Sequence, residues 1–194
     1  MPFTYTPTTE LEAVNTMLAA IGEAPVNFLD DQNMVDVAVA RKTLHEISRD
    51  LQTSEWYFNT EENYPLVRDN DKEIDVPPNA LRVQVPPGVY SGKPIHRGNR
   101  LYDVENHTYK FVSDLKVKIL FFLSFNELPE AARRYVTIKS ARTFQDRVVG
   151  SDTLHVYTSQ DEQRAWMKLR EAEADVGNYN IMDNHVTRNI IHRR

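Results

Sequence analysis

Hydrophobic periodicity changes twice along this chain, and that change constrains the fold more than any single motif. Apolar residues recur at helical spacing up to about residue 54, alternate with polar ones over residues 60–125, and return to helical spacing from residue 128. The two periods bury different surfaces, a stripe and a face, so helices and strands must segregate. The expected fold is α+β: a bundle of about four helices with an inserted antiparallel β region and an extended C-terminal tail. Residues 1–59 and 128–180 are expected to supply the helical parts, 60–127 the β subdomain and 181–194 the tail. At 194 residues the chain can bury roughly 70% of its unfolded surface without covalent staples.

The first helix is expected over Thr9–Ile21, with Leu11, Val14, Leu18 and Ile21 on one face. Thr8 or Thr9 can cap its start, Gly22 can take the left-handed position that ends it, and Pro25 prevents resumption. The second runs from about Asn33 to Ser54 and buries Val37, Ala40, Leu44, Ile47 and Leu51. Three aromatics in a row, Trp56, Tyr57 and Phe58, cannot share one helical face. They mark a change to extended chain, with Trp56 and Phe58 on one side.

Seven of the ten prolines and three of the six glycines fall within residues 60–129, as turns and edge strands require. "KPIHRGNRLYDVENHTYKFV" reads as a meander of three strands, turning at Arg97-Gly98-Asn99 and at Glu105-Asn106-His107. "LKVKILFFLSF" reads as a further strand, buried at one end. A third helix begins at Leu128-Pro129-Glu130 and carries Ala132, Tyr135, Val136, Ala141 and Phe144 to a stop at Gly150. Ser151 or Asp152 caps a fourth, with Tyr157, Ala165, Trp166, Leu169 and Ala172 as its stripe.

Composition and motifs exclude more chemistry than they admit. The chain has no cysteine, so it has neither disulfides nor thiol catalysis. The formal net charge of -5 argues against a general nucleic-acid grip and against a free DNA-binding regulator. "MPFTYTPTTE" has no basic start followed by an apolar core. The longest strongly apolar run, Ile119–Leu123, is far short of the roughly 20 residues of a membrane span, so no membrane insertion is expected. Phosphate-cradling glycine loops and the nucleophile elbow are absent. "HEISR" has Arg49 where a zinc-protease helix needs its second histidine, and no two of the six histidines stand three or four apart. No metal and no cofactor are expected. The remaining catalytic reading is a pair of carboxylates, Glu61 and Glu62, beside an aromatic sugar platform of Trp56, Tyr57 and Tyr64. Against it, aromatics at a helix-to-strand junction belong to a core, and acids in loops are solvated. The basic end "RNIIHRR" is either a docking segment or a solvated terminus.

Four stretches together resemble one family. "AVNTMLAAIGEAPVNFLDD", "ARKTLHEISRDLQTSEWYFNTEENYPL", "LPEAARRYVTIKSARTFQDRVVGS" and "NYNIMD" are similar to tail tubular protein A, the head-to-tail adaptor of short-tailed bacteriophages. The resemblance implies a structural role in the virion tail, after synthesis in the bacterial cytoplasm. It implies a homo-oligomeric ring, taken as a dodecamer, between the portal protein and the tail nozzle protein (tail tubular protein B). DNA would pass through the ring without specific binding, and an acidic lumen would discourage it from sticking. On that reading Arg188, Ile190, Ile191, Arg193 and Arg194 dock on the portal. Arg97, Asn99, Arg100, Tyr102, His107 and Tyr109 of the meander face the nozzle. A dual role, with Glu61 and Glu62 hydrolysing surface glycans, is the alternative.

Overall fold

The computed structural model describes residues 6–29, 35–150 and 152–177, with side chains of the last segment from 159 to 176. Among them are four α-helices and two antiparallel sheets, an α+β architecture. The described residues form two compact units. One is built from those up to Ala40 and from Glu130 onward, the other from Arg41–Pro129.

The helical unit starts with α1 (Glu10–Ala20), which Thr9 opens with a capping box. The Glu12 N–H donates to Thr9 Oγ1 at 3.2 Å and the Thr9 N–H to Glu12 Oε2 at 2.7 Å, so both otherwise orphaned donors are satisfied. The buried residues are Ala13, Val14, Met17 and Leu18. The expected face therefore needs correction: Leu11 and Ile21 are only half-buried. Ile21 is already the C-cap, and Ala13 with Met17 turns the stripe away from Leu11. At the far end Gly22, at φ 85, donates to Ala19 O at 3.1 Å, and Glu23 N–H reaches Leu18 O at 3.0 Å. These two bonds are a Schellman motif, which satisfies carbonyls that the helix leaves open.

Two further helices complete this unit, α3 (Glu130–Val148) and α4 (Asp152–Gly177). Both α1 and α4 pack on α3. The Glu130 carboxylate accepts from Thr8 N–H at 2.8 Å and Thr8 Oγ1 at 2.6 Å, while Arg133 Nη1 donates to Thr8 O at 2.9 Å. Buried α3 positions include Ala132, Tyr135, Val136 and Phe144, but Ala141 is half-buried. Gly150, at φ 65, follows the helix end as its composition suggests. On α4, Ala165 and Leu169 are buried whereas Trp166 keeps 38% exposure, so the expected stripe is narrower than drawn. The side chain of Tyr157 lies outside the described residues.

The helix α2 (Val35–Gln52) buries the five expected residues Val37, Ala40, Leu44, Ile47 and Leu51. Its last residue does more. Gln52 donates from Nε2 to Leu123 O at 3.0 Å and accepts at Oε1 from Leu123 N–H at 2.8 Å, standing in for a missing strand partner. The aromatic run after it forms turns rather than immediate strand. Asn59 holds those turns, accepting from Trp56 N–H at 3.0 Å and donating to Gln52 O at 2.9 Å.

The sheet unit has strands β1 (Thr60–Leu66), β2 (Ala80–Gln84), β3 (Pro94–Arg97), β4 (Arg100–Asp103) and β5 (Leu115–Phe121). Central β5 pairs antiparallel with β1 and β2, and β3 pairs with β4 as a hairpin. Its core joins Leu66, Ile74, Val76, Leu101, Phe111 and alternate β5 residues Leu115, Val117 and Ile119. Alternation puts those three β5 side chains on one face. The hairpin turn falls where expected, with Gly98 at φ 63 in the first central position of a two-residue loop. The expected third meander strand does not form. Residues 104–107 close a tight loop, and Asp103 and Thr108 exchange backbone bonds of 2.8 and 3.2 Å across it. Beyond it, Lys110 bridges to Glu73 instead of extending the hairpin.

Candidate assembly surfaces

The loop after β4 is organised by one carboxylate. Asp103 is fully buried and accepts from Tyr90 Oη at 2.9 Å, Lys93 N–H at 3.1 Å, Glu105 N–H at 3.0 Å and Asn106 Nδ2 at 2.7 Å. Burial alone would raise its pKa. The hydrogen bonds from the Asn106 amide, the Lys93 N–H, Tyr90 and the Asn106 N–H outweigh burial and hold it at about 2. Desolvation, followed by the same contact with Asp103, raises the Tyr90 pKa. An Asp103 that is ionised at neutral pH thus fixes the path of the chain from 90 to 106.

On this support stand the six meander residues expected to meet the nozzle. The Arg97 guanidinium lies 4.0 Å above the Tyr102 ring, a cation–π contact, and Tyr102 lies 4.8 Å from the Tyr109 ring. These three touch in succession, with the two tyrosine rings tilted by 59°. Arg100 pairs with Glu73 and with Asp75 at 3.5 Å. Asn99 O accepts from Val76 N–H at 2.8 Å, and His107 sits at φ 52 in the loop. Sequence spacing placed Arg97 and Tyr102 on one hairpin. It did not show that Tyr109 returns to the Tyr102 ring without belonging to a strand.

The helical unit offers a different surface. Between α3 and α4 lies a groove of about 410 Å³ lined by Tyr135, Arg142, Ser159, Glu162, Gln163 and Trp166. The Tyr135 and Trp166 rings stand 5.1 Å apart. Arg142 Nε is 2.5 Å from Glu162 Oε2 and its Nη1 is 3.1 Å from Asp146. The Glu162 hydrogen bond is the chief cause that raises the Arg142 pKa above the usual arginine value. The wall is thus aromatic on one side and an ion-paired strut on the other. Sequence reading placed Tyr135 and Trp166 among the core residues and missed the groove.

The carboxylates of the glycan reading are both exposed on β1. Glu62 is 3.1 Å from Lys118 Nζ, which also bonds Glu55 at 2.6 Å. The aromatics do not form the expected platform. Trp56 is 3% exposed, its indole N–H donates to Leu51 O at 2.9 Å, and it stacks on Phe58 at 6.0 Å. Tyr64 meets Phe121 edge-on at 5.4 Å. Among the described residues no group of three or more His, Asp and Glu is placed to hold a metal, and no helix is long and apolar enough to cross a membrane. The portal-docking candidates Arg188, Ile190, Ile191, Arg193 and Arg194 lie outside the described residues.

Comparison with known proteins covers nearly this whole arrangement. A family profile described as tail tubular protein matches residues 11–179, spanning both units. The chain is also similar to tail tubular protein A of Klebsiella phage KP34. The two are 32% identical over 163 residues, which is 84% of this chain and 86% of the relative.

Proposed function

The chain belongs to the tail tubular protein family, whose members are structural components of phage tails, and from that premise we propose that it is a head-to-tail adaptor. Its copies form a ring, taken as a dodecamer, that joins the portal protein to the tail nozzle protein and lets DNA pass during ejection without binding it specifically. The subunit is made in the bacterial host cytoplasm and ends in the virion tail. The match across residues 11–179 carries this reading, because it includes both helical parts and the β region rather than one shared element.

Two surfaces have roles in it. The basic, isoleucine-containing segment with Arg188, Ile190, Ile191, Arg193 and Arg194 docks on the portal. The Arg97–Tyr102–Tyr109 cluster, with Asn99, Arg100 and His107 around it, faces the nozzle. Aromatic and arginine anchors on a firm support are what concentrated binding energy in an interface requires.

The test is the mass of the purified protein by light scattering, alone and with purified portal. A portal-bound species carrying a ring's worth of copies is expected. A chain that stays monomeric beside a competent portal overturns the proposal. An Arg97→Glu, Tyr102→Ala variant should still bind portal and lose the nozzle, whereas retained nozzle binding removes the role given to the hairpin.

A further inference from the structure

The two flanks of α4 treat charge differently. On the flank already described, Arg142 is neutralised by Glu162 and by Asp146, one turn along α3. On the other flank a second cleft, of about 220 Å³, is lined by Arg134 and Ile138 of α3 and by Asp161, Arg164, Ala165 and Lys168 of α4. Three cations meet one acid there. Arg164 is 3.3 Å from Asp161, but the two side chains are 69% and 61% exposed, so water screens the pair. Arg134 and Lys168 are exposed and make no hydrogen bond or ion pair among the described residues. This arrangement works against the helical unit itself. Arg164 and Lys168 stand one turn apart on one face, where like charges disfavour a helix, and Arg134 adds a third cation from α3.

We infer that this cleft docks an acidic segment of a partner protein and takes its carboxylates on Arg134, Arg164 and Lys168. Three observations support a protein carboxylate as the occupant. The first is the contrast between the flanks. The same two helices supply acids to Arg142 on one side and leave the cations open on the other, and an arginine fork matches the planar geometry of a carboxylate. The second is the floor of the cleft. Ala165 is buried and Ile138 half-buried, so the methylenes of a glutamate can lie on apolar surface.

The third is how closely the cations are confined. Along α4, Asp161 and Glu162 precede them, and Glu171, Glu173 and Asp175 follow. The remaining cation of that stretch, Arg170, lies over the Trp166 ring. A nucleic-acid backbone carries its charges in an unbroken row and would run on into those acids. A short acidic segment ends within the cleft. On a chain of net charge -5 the cleft is a local reversal of sign, which orients an acidic partner and sets its register. The docking chemistry does not depend on the ring reading.

The test uses the purified full chain and a fluorescent oligoglutamate peptide, followed by anisotropy at low salt. The variant Arg134→Glu, Lys168→Glu reverses the two cations that have no partner. Its melting temperature should be no lower than that of the wild type, and its affinity for the peptide should fall at least about tenfold. A second variant, Lys42→Glu, Lys116→Glu, makes the same change of net charge at two other exposed lysines and should bind like the wild type. The neutral variant Arg134→Gln, Lys168→Gln should also lose affinity, and it carries the test should the reversed pair fail to fold. Equal loss at the other lysines would reduce the effect to overall charge and overturn the inference. So would binding that the cleft variants retain, or no binding by the wild type. A short DNA duplex should not displace the peptide. Displacement would assign the cleft to phosphate groups and overturn the protein partner.

Discussion

Asp103 illustrates how one residue can set a loop. It is buried, yet it stays ionised because five hydrogen bonds converge on it from Tyr90, Lys93, Glu105 and Asn106. Gly92 makes that possible. A Cβ there would overlap Asp103 Oδ2, lie 2.8 Å from its Cγ and 2.6 Å from Tyr90 Cε1. Gly92→Ala should therefore cost about 1–3 kcal/mol, read as a fall in the denaturant midpoint, and an unchanged midpoint would refute the crowding. The pH dependence has a definite sign. The folded pKa of about 2 lies below the unfolded value of about 3.9. The stabilisation from Asp103 is fully present above about pH 4 and is lost as pH falls toward 2. Asp103→Asn should flatten that part of the melting-temperature profile between pH 4 and 2. An equal slope in both proteins would show that other carboxylates carry the whole effect.

At the scale of elements, ends mattered more than interiors. The stop at Gly22 was legible because only glycine adopts φ 85 at little cost, and nothing lies within 4 Å of where its Cβ would be. Gly22→Ala should lose about 1–2 kcal/mol through backbone strain alone, read as a lower denaturant midpoint. A variant with the wild-type midpoint would refute the strain at this corner. The hairpin turn at Gly98 was legible for the same reason. The third meander strand was misread because "HTYKFV" has strand composition. Composition says what a pleated surface accepts, not whether backbone groups remain free to pair. Here Lys110 bridges to Glu73 and the Phe111 N–H donates to Lys72 O at 2.8 Å, so the segment pairs with the 69–74 turn instead of extending the hairpin.

For the whole molecule, the proposed adaptor role separates folding from attachment. Deleting everything after Asn184 removes the basic docking segment. The shortened chain should keep the wild-type melting temperature and lose portal binding, measured by co-sedimentation. Normal attachment would remove the portal role of Arg188, Arg193, Arg194 and the two isoleucines. The net charge of -5 favours a conduit that DNA slides through over a surface that grips it. On the proposed ring reading, the assembly should show little affinity for duplex DNA, even at low salt.

Local order and periodicity by themselves determined the fold class, the buried stripe of α2, the helix stop at Gly22 and the turn at Gly98. Each depends on backbone geometry or on the spacing of neighbours along the chain, and both are written locally. Tertiary structure decided which aromatics are covered. Trp56 and Trp166 look equivalent in the sequence, yet one is 3% and the other 38% exposed, because burial depends on what packs from far along the chain. It also decided that Gln52 serves Leu123, 71 residues away, and that Asp103 meets Tyr90. No pattern within a few residues encodes a hydrogen bond whose partner arrives only when the chain has folded.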